Sequence, residues 1–170
     1  MMIVRRAAAS DAAALSELAE ATFRATFGPH NAAADVEAHC VRAFSEDAQS
    51  REIADVDALT LLADVDGAQV GFAQLRWPSA PACVPGKRPG EIHRLYVRAD
   101  HHGQGVAQDL MNASIREMAA RGSDMIWLGV WEENRRAIAF YRKFGFTPVG
   151  DHIFMFGSDP QRDIVMVRAV

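Results

Sequence analysis

The sequence predicts a single domain of mixed α and β structure, and three observations carry that prediction. Apolar residues keep helical spacing through the first fifty or so positions. Two strand-like runs then flank Asp66-Gly67, a dipeptide that favours a tight hairpin turn. Finally, the strand-like Leu95-Tyr96-Val97 runs into the glycine-bearing turn His102-Gly103-Gln104-Gly105, and a helical pattern follows at once. At 170 residues the chain suits one domain, assigned to residues 1–170.

Met2 to Arg6 reads as a first strand. Ser10 is the predicted N-cap of a helix from Asp11 to about Thr26, with Leu15, Leu18, Ala19, Thr22 and Thr26 on its inner face. Gly28-Pro29 stops it. Val36, Cys40, Ala43 and Phe44 mark a second helix, and Ser45 caps a short third one ending near Ile53. Leu59 to Val65 and Val70 to Trp77 form the hairpin. Pro78 to Gly90 carries four prolines and two glycines in thirteen residues and is a loop. Glu91 to Arg98 is the next strand, and Gly103 to Arg121 a helix with Val106, Leu110, Met111, Ser114 and Met118 inward. Met125 to Trp131 is an apolar strand, Glu133 to Phe144 a helix. Phe146 to Phe156 and Ile164 to Val170 are two last strands around Gly157-Ser158-Asp159-Pro160.

A formal net charge of −4 gives no bulk attraction to nucleic acid or to an anionic membrane. Cys40 and Cys83 are the only cysteines and form no C-x-x-C pair, so neither a disulfide framework nor a cysteine-rich zinc site is expected. Met1 to Arg6 lacks the apolar core of a signal peptide, and no apolar run is long enough to span a membrane. The expectation is a cytoplasmic enzyme without metal.

The turn from His102 to Ala107 carries the chemistry. Glycines let a backbone approach a ligand closely, and the first N–H groups of a helix have no internal partners, so they suit a diphosphate. No Lys-Ser/Thr pair follows the glycines, which excludes a P-loop. Gln108 stands where a dinucleotide fingerprint counted from Gly103 needs a small residue.

What remains is Gly103-x-Gly105-x-Ala107 after a Leu-Tyr-Val strand, which resembles the pyrophosphate loop Arg/Gln-x-x-Gly-x-Gly/Ala of the GNAT acetyltransferases. His102 stands at the Arg/Gln position and leaves the role of that side chain open. Further on, Asn134-Arg135-Arg136-Ala137-Ile138-Ala139-Phe140-Tyr141-Arg142-Lys143-Phe144-Gly145-Phe146 is similar to the second hallmark of that family, Asn-x-x-Ala-x-x-Phe-Tyr-x-x-x-Gly-Phe. The resemblance implies a mixed, mostly antiparallel sheet with helices on both faces and a splayed strand pair for the cofactor.

It also implies acetyl-CoA as cosubstrate and an N-acetyltransferase activity. Leu95, Tyr96 and Val97 would pair with pantetheine through their backbone, and His102, Gly103, Gln104, Gly105, Val106 and Ala107 would hold the pyrophosphate. Asn134 would touch the cofactor. Tyr141 aligns with the acid that protonates the departing thiolate, and a tyrosine of ordinary acidity is protonated at neutral pH. The backbone N–H near Val97 would serve as the oxyanion donor. Glu91 is the candidate base; His93, which strand alternation places on the same face as Glu91 and Leu95, is the alternative.

The acceptor would be a small-molecule amine. A weaker resemblance of Trp127 to Glu132, Phe154 to Gly157 and Gln161 to Ile164 to the PaiA-type spermidine/spermine acetyltransferases points to a polyamine. Acetylation of a protein N-terminus or lysine, and a non-catalytic acetyl-CoA sensor, stay open as alternatives, as does a homodimer.

Overall fold

The protein is described by a computed structural model covering residues 1–170. Its chain forms two compact units, each discontinuous in sequence: Met1–Leu75 with Arg94–Ser114, and Arg76–His93 with Ile115–Val170.

In the first unit, β1 (Met2–Arg6) pairs antiparallel with β2 (Ala58–Val65), from Met2↔Val65 to Arg6↔Leu61. A hairpin joins β2 to β3 (Ala68–Arg76). Its two turn residues, Asp66 (φ 49°) and Gly67 (φ 84°), are both left-handed, as a two-residue turn between twisted strands requires. β4 (Pro89–Val97) lies beside β3. Three helices precede β2: α1 (Ala12–Phe27), α2 (Ala33–Phe44) and α3 (Glu46–Ala54). Leu15, Leu18, Ala19, Val36, Cys40 and Phe44 are buried at the spacing the sequence implied. Burying each of the larger ones contributes about 1.5–3 kcal/mol. Ser45 caps α3 as expected, accepting from Ala48 N at 3.2 Å.

Helices cover both faces of β3 in this unit. Phe72 meets Tyr96, whose ring stands edge-on to Phe27 of α1. A methyl on the neighbouring Gly71 would lie 3.1 Å from Leu110 of α4 (Val106–Ala120) on the opposite side.

The second unit holds β5 (Met125–Trp131), α5 (Arg135–Lys143), β6 (Thr147–Phe156) and β7 (Asp159–Ala169). Its strand order is β4-β5-β7-β6. β5–β7 and β6–β7 are antiparallel and β4–β5 is parallel, so the fold is the mixed, mostly antiparallel one that the sequence predicts. Trp127, Val165 and Val167 form a buried cluster under Ala80 and Val84 of the proline-rich loop.

Several boundaries differ from the sequence expectations. Ser10 is no cap: it sits inside a 3-10 turn, and Asp11 instead accepts from Ala8 N at 2.7 Å. α4 starts at Val106, because Gly103 (φ 77°) and Gly105 (φ 88°) are left-handed and cannot be helical. α5 starts at Arg135, after Asn134 accepts from Ala137 N. β7 begins at Asp159, leaving Gly157-Ser158 as the whole turn. No helix is long and apolar enough to cross a membrane.

Candidate active site

In the first unit, β4 delivers Leu95, Tyr96 and Val97 to the start of a tightly braced turn. Arg98 N donates to Val70 O at 2.8 Å, tying the strand end to β3. A 3-10 turn, Ala99–His101, follows. Asp100 is its hub: the carboxylate accepts from Arg98 at 2.7 Å and faces His101 Nδ1 at 2.9 Å, while its carbonyl accepts from Gln104 Nε2 at 2.9 Å. These charged contacts hold the Asp100 carboxyl below its usual range, with His101 the largest cause and Arg98 next.

Gly103 and Gly105 then take their left-handed turns, and nothing lies within 4 Å of where a Cβ would sit on either. The space over the turn is therefore open. Gly105 O is the first helical acceptor, bonded by Asp109 N, so the amides of the first α4 turn have no partner within the helix. Val106, Leu110, Met111 and Ser114 anchor α4 in the core, so the turn is carried on a fixed helix. A left-handed glycine pair, open space and a helix N-terminus together fit a diphosphate.

His102, exposed, turns back on the strand: its Nε2 lies 2.8 Å from Val97 O. A carbonyl only accepts, so this nitrogen carries the hydrogen.

Also in this unit, Arg94 Nη1 donates to Gln74 Oε1 (2.7 Å), Gln74 Nε2 to Gln49 Oε1 (2.8 Å), and Gln49 Nε2 to Ala43 O (2.9 Å). An arginine only donates and a carbonyl only accepts, so both amide orientations are fixed. The guanidinium lies over the Phe44 ring, 4.9 Å from its centroid. Sequence reasoning missed this chain, because its members come from four elements and carry no local pattern.

In the second unit the parallel β4–β5 ladder has three pairs, Pro89↔Met125, Gly90↔Ile126 and Glu91↔Trp127, and then ends. β4 continues to Val97 and β5 to Trp131 without further pairing between them. Glu91 and His93 sit beside the end of that ladder, with His93 Nδ1 3.3 Å from Glu91 Oε1. The two candidate bases are thus brought together.

Within the second unit Gly90 abuts Met118 of α4, and within the first Val97 shares the contact around Gly71 with Leu110.

Tyr141 lies on α5 among aromatic rings, 5.6 Å from Phe140 and 5.8 Å from Phe146 by centroids, and is partly exposed. Asn134 Oδ1 is used as the helix cap, which leaves its amide N–H groups as what it can offer a ligand.

One more cluster in this unit was not read from sequence. Gly129 is exposed although Leu128 and Val130 on either side are buried. A methyl there would lie 3.3 Å from His152 Cε1 and 3.5 Å from Asp163 Oδ2. His152 and Asp163 are cross-strand partners, with His152 Nε2 3.9 Å from the carboxylate. Burial pushes the Asp163 carboxyl up, and His152 partly offsets this. Register shows which distant residues meet, and periodicity does not.

Residues 13–146 match the family described as the Acetyltransferase (GNAT) family. An uncharacterized N-acetyltransferase of Lactobacillus delbrueckii subsp. lactis is 30% identical over 149 residues, 88% of this chain and 86% of that protein. Another, of Mycobacterium bovis, is 38% identical over 109 residues, 64% of this chain and 65% of that one. Among solved structures, the PaiA N-acetyltransferase of Thermoplasma acidophilum in complex with coenzyme A superposes with a TM-score of 0.82 at 22% identity, over 100% of this chain and 99% of that one. The chain belongs to the GNAT family of acetyltransferases, enzymes of the acyltransferase class.

Proposed function

We propose that this protein transfers the acetyl group of acetyl-CoA to an amine of a small molecule, with residues 1–170 acting as one acetyltransferase domain. The observation that carries the reading is the turn at Gly103 and Gly105, open above and backed by the N-terminus of α4. Its amides, with His102 to Ala107, would cradle the diphosphate. Leu95, Tyr96 and Val97 would pair their backbone with pantetheine, in the manner of an added strand. Asn134 would donate its amide to the same ligand.

Transfer forms a C–N bond and breaks the C–S bond of the thioester. The amine must lose a proton and the thiolate must gain one. Glu91 takes the first role, directly or through His93, whose ring nitrogen is its neighbour. The Tyr141 hydroxyl takes the second. The backbone N–H near Val97 would bind the oxyanion of the tetrahedral intermediate. The acceptor is assigned to the face that carries Glu91, His93, the hollow at Gly129 and the underpaired Asp163. Carboxylates on that face favour a protonated, polyamine-like substrate over an anionic one.

The experiment is thiol release from acetyl-CoA with a panel of mono-, di- and polyamines, paired with calorimetry on Gly105→Phe. The substituted protein should fold, yet lose acetyl-CoA binding and turnover together, because the ring fills the cradle. Normal binding by a folded Gly105→Phe protein would overturn the cradle.

A further inference from the structure

We propose that Asp163 selects the acceptor by its length, holding a second cationic nitrogen while the reacting amine lies at Glu91. The inference rests on the reading of that face as the acceptor side of an acetyltransferase. Within the second unit, register puts the two carboxylates on one side of the sheet. Glu91 pairs with Trp127 across β4–β5, and Trp131 pairs with Asp163 across β5–β7, whose register runs without a shift from Met125↔Ala169. Paired residues point to the same face, as do residues two or four apart on one strand. Glu91, Trp127, Gly129, Trp131 and Asp163 therefore share a side, and His152, the cross-strand partner of Asp163, joins them.

Asp163 is short of partners on that side. Its side chain is only 21% exposed, and the one basic group within 4 Å is His152, whose Nε2 at 3.9 Å is beyond hydrogen-bond reach. Arg162, next to it in sequence, cannot serve. Alternation points it to the opposite face, where Nε donates to Asp151 at 2.7 Å and Nη1 to Glu132 at 3.0 Å. A largely buried carboxylate without a donor is poorly solvated until a cation reaches it. The way in is open because β5 has no side chain at Gly129, which is exposed between buried Leu128 and Val130. A methyl there would stand 3.5 Å from Asp163 Oδ2 and 3.3 Å from His152 Cε1. An alkylammonium suits this place, its methylenes over the bare glycine and its head against Asp163. Trp131, across the ladder, adds an indole, the ring that best attracts a neighbouring cation.

Register also sets the length of the acceptor. Trp127 to Trp131 advances about 13 Å along β5, and Glu91 and Asp163 stand two strand spacings apart, roughly 10 Å, so their backbones are about 16 Å from one another. The two side chains and their hydrogen bonds take up part of that span. Roughly 8–12 Å is left between two bound nitrogens, or about seven to ten bonds of an extended chain. A short diamine cannot touch both carboxylates; a long diamine or a triamine can.

The test is thiol release from acetyl-CoA by the full chain with α,ω-diamines of about four to about twelve carbons, each against the monoamine of equal length. In the wild-type protein the preference for the diamine, as a ratio of kcat/KM, should be small for the shortest pair. It should rise about ten- to a hundredfold, chiefly through KM, once the chain spans both carboxylates, the effect of one hydrogen bond between charged groups. Asp163→Asn should remove that rise. Gly129→Ala should blunt it by crowding the approach to Asp163. A wild-type preference that does not depend on length would overturn the proposal while leaving acetyl transfer intact. So would an unchanged length profile in a folded Asp163→Asn protein, or in Gly129→Ala should the former not fold. No release with any amine would remove the acetyltransferase reading itself, and this inference with it.

Discussion

Gly71 lies directly against the carbonyl of Tyr96: a methyl group at position 71 would come within 3.0 Å of that oxygen and 3.1 Å of the Val97 side chain. The strand proposed to receive pantetheine is thus seated on a residue without a side chain. Gly71→Ala should push β4 outward and cost about 1–3 kcal/mol, the usual penalty for overpacking a close contact. Acetyl-CoA affinity should fall with it, since the displaced carbonyl belongs to the cofactor strand. Urea unfolding and calorimetry on the same variant check both effects. An alanine variant with unchanged stability would show that β4 yields at no cost.

Tyr141→Phe keeps the ring packed between Phe140 and Phe146 and removes only the hydroxyl. Loss of a general acid should lower turnover by roughly 10²–10⁴-fold. The melting temperature and acetyl-CoA affinity should hardly move, because the group acts in the transition state. A tyrosine that serves only the core would give the opposite pattern, with lower stability and near-normal thiol release.

Stability at acid pH should report on Asp11. Its carboxylate accepts two bonds from Arg5, at 2.8 and 2.9 Å, while Arg5 Nε donates to Asp64 at 2.7 Å. The Arg5 bonds, helped by Ala8 N and Gln69, hold the Asp11 carboxyl at about 2. Because the folded value lies below the unfolded one, the contribution is present above about pH 4 and fades as pH falls towards 2. Arg5 is partly solvated, so screening reduces the effect, and Asp11→Asn should cost about 1 kcal/mol at pH 7. Unfolding measured at neutral pH and near pH 2 should show the gap between the two proteins closing; a constant gap would contradict the linkage.

Most of the fold was legible because its elements obey simple periods. The buried faces of α1, α2 and α4 fell at helical spacing, and Asp66-Gly67 announced its hairpin. The two segments that identify the family, His102 to Ala107 and Asn134 to Phe146, were legible for a different reason, since each is contiguous. Departures cluster where backbone conformation or strand register decides. Gly103 and Gly105 could have extended α4 by pattern alone, but their left-handed conformations delay it to Val106. The pairing of His152 with Asp163 beneath Gly129, and the Arg94-Gln74-Gln49 chain, depend on neighbours distant in sequence. No single-segment signal announces them.

The position of β7 constrains the order of events during synthesis. β7 lies between β5 and β6, both of which leave the ribosome before it. The residues of the first unit are complete once Ser114 has been added, so that unit has its full complement of side chains while the second still lacks everything from Ile115 onward. Until Asp159–Ala169 emerges, β5 has the three short pairs with β4 as its only native ladder, and β6 has none. Two strand edges therefore wait unpaired until β7 emerges, an interval in which a nascent chain is prone to pair with its neighbours. Forming the β6–β7 hairpin pairs β6, and docking that hairpin onto β5 closes the remaining edge.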